Sequence, residues 1–207
     1  MHEEVVEAFK RFCERLRGFV YINEVLDSVT CYLNPHNYLE PAEHAHEFAK
    51  FLRRWEPEIR EDPFELKLES MNMITDGYVE HVGIKYDPEE DEFRIYAKMY
   101  SEFGERYGNR RRGVAKPSDT EEIEGLGIWL VSYGGVEWNE GIEEWRGYGE
   151  AWTTIKDLEK LPEGNVKEVM ETLINKAHSM AKEAQKKLIE VPKEIKRLRE
   201  IPPWKRP

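Results

Sequence analysis

One long helical pattern dominates the C-terminal part of the chain. From residue 165 to residue 190, apolar residues recur every three or four positions and so lie on one side of a helix. Asn165 suits the N-cap, and Pro192 predicts the end of the helix because proline lacks the required N–H. At 1.5 Å per residue the helix would be about 39 Å long. Its apolar stripe consists of Val166, Val169, Met170, Leu173, Ala177, Met180, Ala181, Ala184 and Leu188.

Between residues 64 and 155 the pattern changes to an alternation of apolar and polar residues. In the first segment Phe64, Leu66 and Leu68 alternate with charged residues, which is typical of a strand with one buried face. Short connections favour antiparallel neighbours. The sequence therefore predicts a five-stranded, mostly antiparallel sheet. Its remaining strands are expected near residues 78–86, 93–100, 126–130 and 145–155.

The first 60 residues are predicted to be mainly helical. Val5, Phe9 and Phe12 have helical spacing, and Pro41 can begin a further helix. Residues 19–33 also show helical spacing, but their β-branched and aromatic side chains suit a strand, so both alternatives remain open. Helices followed by strands and then one helix predict the α+β class.

The chain of 207 residues is expected to form a single α+β domain, residues 1–190, followed by an arm, residues 191–207. Within the domain, residues 1–60 would be the helical part and residues 64–155 the sheet. The long helix, residues 165–190, would pack on that sheet.

Charge is unevenly distributed along the chain. Residues 164–207 contain 11 Lys and Arg against 6 Asp and Glu, whereas the remainder contains 20 against 36. The acidic body disfavours general binding of polyanions. The basic arm could contact a phosphate backbone, an acidic partner or the body of the same chain. A charged content of 35 %, rich in Glu, Lys and Arg, is the bias expected of a thermophilic source.

No apolar run approaches 18 residues, so no transmembrane helix and no membrane association are predicted. The N-terminus lacks the basic start and apolar stretch of a signal peptide, so a cytoplasmic location is expected. Cys13 and Cys31 are then expected to be reduced core residues. A disulfide between them is the alternative, which a hyperthermophilic origin would favour.

The chain offers little support for a metal or cofactor site. Glu43 and His46 have the spacing of a di-iron ligand pair, but the second such pair that these sites require is missing. A solvated helix surface is the favoured interpretation. Phosphate-cradle and nucleophile-elbow motifs are also missing. No metal and no cofactor are expected, and a non-enzymatic protein is favoured over an enzyme.

Three consecutive arginines form the sharpest local feature. Arg110, Arg111 and Arg112 stand between glycines and are followed by Lys116. Since arginine binds phosphate through its planar fork, these residues predict an anion or nucleic-acid contact. A solvated connection, or ion pairing with the acidic body, is the alternative. The S-x-x-E pattern at residues 118–121 then predicts a short capped helix.

Aromatic residues concentrate in the last predicted hairpin. Trp129 would face Trp152, and Tyr133 would face Tyr148, which places all four on one side and predicts a ligand pocket or an interface. On the other side of the last strand, small residues leave space for a closely packed helix or for a cavity: Gly147, Gly149 and Ala151. Trp204, in the proline-rich basic arm, is a further docking candidate.

The leading hypothesis is a non-enzymatic binding or protein-interaction module, whose partner is another protein or a second copy of the chain. One alternative is a nucleic-acid-associated accessory protein that acts through Arg110–Arg112, Lys116 and the basic arm. The other is an enzyme whose site is assembled across the fold, which requires a polar cleft with titratable groups of shifted pKa.

Overall fold

A computed structural model describes residues 3–25, 28–34, 37–56, 58–59, 63–69, 73–74, 77–102, 116–139 and 144–200. For residues 73–74, 116–117, 139 and 188–200 only the backbone is described. Within these ranges, no helix has the length and apolar character needed to cross a membrane.

The N-terminal part combines short helices with a β-hairpin. Its elements are α1 (Glu3–Arg15), β1 (Phe19–Asn23), β2 (Ser28–Tyr32), α2 (Glu40–Glu43) and α3 (Ala45–Trp55). The remaining strands and α-helix are β3 (Phe64–Glu69), β4 (Met73–Ile74), β5 (Gly77–Asp87), β6 (Glu92–Ser101), β7 (Lys116–Ile123), β8 (Ile128–Asn139), β9 (Glu144–Ile155) and α4 (Glu163–Glu200). A short 3-10 helix, Leu158–Lys160, precedes α4.

One sheet contains every described strand. Its order is β1-β2-β3-β5-β6-β9-β8-β7, and the two-residue β4 pairs with β5 beside this path. Neighbours are antiparallel except β2 and β3, which are parallel. The predictions of an α+β fold and a mostly antiparallel sheet are confirmed. The predicted number of five strands is wrong, because the hairpin, β4 and β7 were not recognised.

Two of these misses have a local cause. Within residues 19–33, for which helix and strand were both open, residues 19–23 and 28–32 form strands. Val20 and Ile22 pack against the core, while Phe19 and Tyr21 lie on the opposite side. Residues 118–121, predicted to begin a helix, lie inside β7. There the pairing with β8 outweighs the local capping pattern.

All the described helices lie on one face of the sheet. Phe9 of α1 contacts Phe64 of β3 with 5.1 Å between ring centroids, and Phe48 of α3 contacts Phe93 of β6 at 6.2 Å. The stripe of α4 from Val166 to Ala184 is buried against β6, β8 and β9. These side chains form the hydrophobic core.

The long C-terminal helix is confirmed, but both of its predicted ends are wrong. It begins at Glu163, so Asn165 lies in its first turn instead of capping it. It continues through Pro192 to Glu200, into residues that the sequence assigned to the arm. Proline inside a helix costs one hydrogen bond and strains the preceding turn, and it does not end the helix here.

A disulfide joins α1 to the hairpin. Cys13 and Cys31 are bonded, with 5.7 Å between their Cα atoms. The expectation of two reduced core thiols is therefore wrong, and the alternative is what the structure contains. Both residues are fully buried, as expected.

The glycines of the last hairpin bring α4 close to the sheet. A methyl group added to Gly134 would lie 2.8 Å from the carbonyl oxygen of Met180, and one on Gly147 would lie 2.5 Å from the amide nitrogen of Gln185. The space beneath α4 is thus filled by its own backbone. At these glycines the structure has close helix–sheet packing, the first of the two sequence-based alternatives.

Candidate functional site

The face of the sheet opposite the helices, here called the open face, is rich in tyrosine and in charged side chains. Two tyrosines on it lie across glycines of neighbouring strands. Tyr96 faces Gly83, where an added methyl would lie 2.5 Å from the tyrosine hydroxyl. Tyr148 faces Gly135 in the same way, at 2.8 Å. The absence of a side chain on each glycine lets the tyrosine ring lie flat on the sheet.

The first polar cluster of the open face centres on Glu65. Tyr96 donates its hydroxyl hydrogen to one carboxylate oxygen of Glu65, and Thr30 donates to the other at 3.0 Å. Burial and the neighbouring carboxylate raise the pKa of Tyr96 far above its usual range. Tyr96 therefore remains a hydrogen-bond donor at any physiological pH.

The second cluster centres on Lys98. Its Nζ atom lies 2.9 Å from Glu80 and 3.0 Å from Glu137. Tyr100 donates to Glu137 as well. Burial alone would lower the pKa of Lys98, but the two carboxylates outweigh it and the pKa is raised. Lys98 is consequently charged, and its charge is compensated within the face.

His81 stands directly opposite Lys98 on the neighbouring strand. Burial, together with the positive charges of Lys67 and Lys98, lowers the pKa of His81 to about 3. Its ring lies 5.5 Å from that of Tyr96. His81 is therefore neutral at pH 7 and is a weak base.

A small pocket of about 190 Å³ opens above the seam between β6 and β9. At one end, Lys85 and Arg94 are direct cross-strand partners. The guanidinium carbon of Arg94 lies 4.7 Å from the ring centroid of Trp152. Across the described part of the chain, no carboxylate approaches either cation to within ion-pair distance. The pocket therefore contains two cations without an ion-pair partner among the described residues, beside the ring of Trp152, and Glu150 is the carboxylate in its lining.

The four aromatic residues predicted from the last hairpin all lie on the open face. The predicted direct pairing is shifted by two residues, because Trp152 faces Val131 and Tyr148 faces Gly135. A shift of two preserves the face but changes the neighbours. Tyr133 consequently contacts both Tyr148 and Trp152, at 6.0 Å and 5.7 Å between centroids. Trp129 is separate from this cluster and is 59 % exposed.

The predicted cationic residues are not brought to this face by any described contact. Arg110, Arg111, Arg112 and Trp204 lie outside the described residues, and Lys116 begins β7 with only its backbone described. The anion or nucleic-acid contact assigned to them remains a prediction.

Of the residues that line the pocket, sequence reasoning singled out Trp152 but missed Lys85 and Arg94. The alternation along β5 and β6 placed Lys85 and Arg94 on polar faces, but it could not show that they are neighbours. That pairing is set by the register of β5 and β6, in which Asp87 faces Glu92 next to the turn. Hydrophobic periodicity assigns each residue to a face of the sheet but does not give the register between two strands.

The histidine first considered as a metal ligand has a structural role. The Nε2 atom of His46 lies 2.6 Å from the carbonyl oxygen of Leu161, just before α4 begins. Glu43 pairs with Lys167 of α4 at 3.1 Å. Among the residues that the structure describes, no group of three or more His, Cys, Asp or Glu could hold a metal ion.

No protein-family model, curated protein or solved structure matches this chain. What the protein does must therefore follow from the chemistry of its own surfaces.

Proposed function

We propose that this protein is a non-enzymatic binding module that receives a protein partner on the open face of its sheet. The observation that carries the proposal is the exposure of aromatic residues on a face that no described helix covers. Phe19 is 64 % exposed and Tyr21 53 % exposed on β1, and Trp129 is 59 % exposed on β8. Aromatic residues and arginine are enriched at protein interfaces and carry much of their binding energy.

The size of the open face suits a protein partner. Eight strands spaced about 4.8 Å apart span about 34 Å, and six residues of a strand extend about 20 Å. The resulting area, roughly 700 Å², is close to the ~800 Å² that one partner contributes to a standard interface. The hydrogen-bonded tyrosines hold this surface in one arrangement, which lowers the entropic cost of binding.

The pocket indicates what the partner presents. At about 190 Å³ it is smaller than the roughly 300–1,000 Å³ typical of small-molecule sites. It therefore suits one inserted side chain. Lys85 and Arg94 select a carboxylate, and Trp152 offers an apolar surface beside it.

Several features favour binding over catalysis. The pKa of His81 is lowered to about 3, and the pKa values of Tyr96, Tyr100 and Tyr133 are raised. A general acid or base works best with a pKa near the operating pH. These shifts move the pKa of each group further from pH 7.

The charge of the open face supports a protein partner over nucleic acid. A polyanion would be repelled by the carboxylates that stand beside the lysines. Those carboxylates belong to Glu65, Glu69, Glu80, Glu137 and Glu150, and the cations are Lys67, Lys85, Arg94 and Lys98.

The proposal is tested with a random peptide library displayed on phage and panned on the immobilised protein. Enriched peptides should share an acidic residue next to an apolar one. Their affinity should fall at least tenfold for Arg94→Ala and for Trp152→Ala, since truncating a central contact residue typically costs about 2 kcal/mol or more. Lys10→Ala, on α1, should leave the affinity unchanged. The proposal would be rejected if no peptide were enriched, or if Arg94→Ala and Trp152→Ala both left the peptide affinity unchanged.

A further inference from the structure

A second charged surface lies in the helix layer, on the other side of the sheet. A groove of about 660 Å³ runs between α1 and α3. Four cations line it, Arg11 and Arg15 from α1, and Lys50 and Arg54 from α3. Glu47 is the one carboxylate in its lining.

These four cations are not held in ion pairs with the described residues of the protein, although Glu47 lies in the same groove. In the ranges that the structure covers, none of them has an ion-pair partner. Arg53, the neighbour of Arg54, instead pairs with both Asp91 and Glu159. The chain contains 42 Asp and Glu against 31 Lys and Arg, so the lack of partners is not caused by a shortage of carboxylates.

The spacing of the cations places like charges next to each other on each helix. Arg11 and Arg15 are one helical turn apart, and so are Lys50 and Arg54. Like charges at this spacing destabilise a helix, and here the two pairs face one groove. An anion bound between them would relieve the repulsion within both pairs.

Aromatic rings form the floor of the groove and hold two of the guanidinium groups. Phe12 is buried, and Phe51 and Trp55 are half-buried beside it. The guanidinium carbon of Arg15 lies 5.6 Å from the centroid of Phe12, and that of Arg54 lies 6.0 Å from the centroid of Trp55. Stacking on the rings restrains the arginine planes at the edges of the groove.

We infer that this groove binds a phosphorylated small molecule of the nucleotide class. The phosphates would lie between the two pairs of cations, because arginine binds phosphate through two parallel hydrogen bonds. The planar base would lie against the aromatic floor. The volume falls within the range typical of small-molecule sites.

The positive region is too short for an extended polyanion. On α1, Glu7 and Glu14 border the arginines, and on α3, Glu47 and Glu56 border Lys50 and Arg54. A nucleic acid that continued along either helix would meet these carboxylates. The arrangement therefore favours a compact anion over a nucleic-acid strand.

The inference is tested by isothermal titration calorimetry of the full-length protein at low salt, with ATP, pyrophosphate and a 15-nucleotide oligothymidylate as separate titrants. ATP should bind, and pyrophosphate should bind at least tenfold more weakly because it lacks a planar group. Arg15→Ala combined with Arg54→Ala should weaken ATP binding at least tenfold. The matched control, Lys186→Ala combined with Lys187→Ala, removes the same charge from α4, outside both the groove and the open face, and should leave ATP binding unchanged.

Three outcomes would overturn the inference. If ATP does not bind, the groove is not a nucleotide site. If the groove variant and the control variant lose ATP affinity equally, the binding reflects only the overall charge of the protein. Oligothymidylate binding more tightly than ATP would assign the groove to nucleic acid instead. None of these outcomes bears on the peptide affinity of the open face, so the two proposals fail separately.

Discussion

The two faces of the sheet are stabilised by different interactions. On the face under α4, glycines bring two backbones so close that Gly134 and Gly147 have no room for even a methyl group. On the open face, polar side chains satisfy one another instead, as Lys98 does with Glu80 and Glu137. The face under α4 is thus covered by a closely packed helix, whereas the polar side chains of the open face are held by hydrogen bonds and ion pairs.

This difference decides where a partner can bind. Access to the face under α4 would require the helix to leave the sheet, which exposes the hydrophobic core. The open face needs no such change, because its side chains are half-exposed and two of its cations, Lys85 and Arg94, have no carboxylate partner among the described residues. The fold therefore leaves only the open face of the sheet accessible to a binding partner.

Among these tests, the largest effect is expected from adding side-chain volume at Gly149, which would disrupt the packing of α4 on the sheet. A side chain there would overlap the carbonyl oxygen of Ala177 and lie 2.7 Å from the amide nitrogen of Ala181. Gly149→Val should lower the free energy of unfolding by about 3 kcal/mol, since neither backbone can yield easily. Urea denaturation followed by circular dichroism measures the loss.

Gly164, in the first turn of the same helix, is the control for this substitution. Nothing lies within 4 Å of a methyl group placed there. Gly164→Ala should keep or slightly raise stability, because alanine is the better helix former. Similar losses from both substitutions would show that the close approach of α4 at Gly149 is not what limits residue size.

The disulfide controls how firmly α1 is attached to the covered face at the hairpin. It links residues 18 apart in the sequence, so breaking it should restore loop entropy to the unfolded chain and lower stability by about 2–3 kcal/mol. The measurement compares urea denaturation of the wild-type protein with and without a thiol reductant. The variant Cys13→Ser with Cys31→Ser should be insensitive to reductant, and an equally insensitive wild type would contradict the bond.

Periodicity predicted the parts of this comparison that depend on one segment at a time. The stripe of α4 and the alternation along β6 and β9 follow from burial on one side, so the covered face could be read from the sequence. Trp152 and Tyr148 were placed on the correct side for the same reason. Residues 19–33 were not resolved, because their apolar spacing fits both a helix and a pair of strands.

What the sequence could not supply is contact between segments. The partner of Trp152 depends on a register that a shift of two residues changes without altering the face. The contact between Lys85 and Arg94 depends on the register of β5 and β6. The groove requires α1 and α3 to lie side by side, and the Cys13–Cys31 bond requires α1 to meet β2. None of these approaches is encoded in a local pattern.

The smallest expected effect tests whether the open face is truly desolvated at His81. In the unfolded chain the pKa of this histidine is near 6.5, whereas in the folded protein it is lowered to about 3 by burial and by Lys67 and Lys98. As the pH falls below 6.5, the unfolded chain binds a proton that the folded protein does not, so acidification favours unfolding. The stabilising contribution is complete above pH 6.5 and is lost progressively as the pH falls towards 3.

Between pH 6.5 and pH 5.5 this loss should amount to about 1 kcal/mol. His81→Gln should remove it, so the stability difference between wild type and variant should change by that amount over the interval, while the titrating carboxylates cancel. His44→Gln provides the control, because the His44 side chain makes no hydrogen bond at the start of α3. If His81→Gln and His44→Gln change the pH dependence of stability equally, His81 is solvated. The polar side chains of the open face then pair with one another while remaining in contact with water.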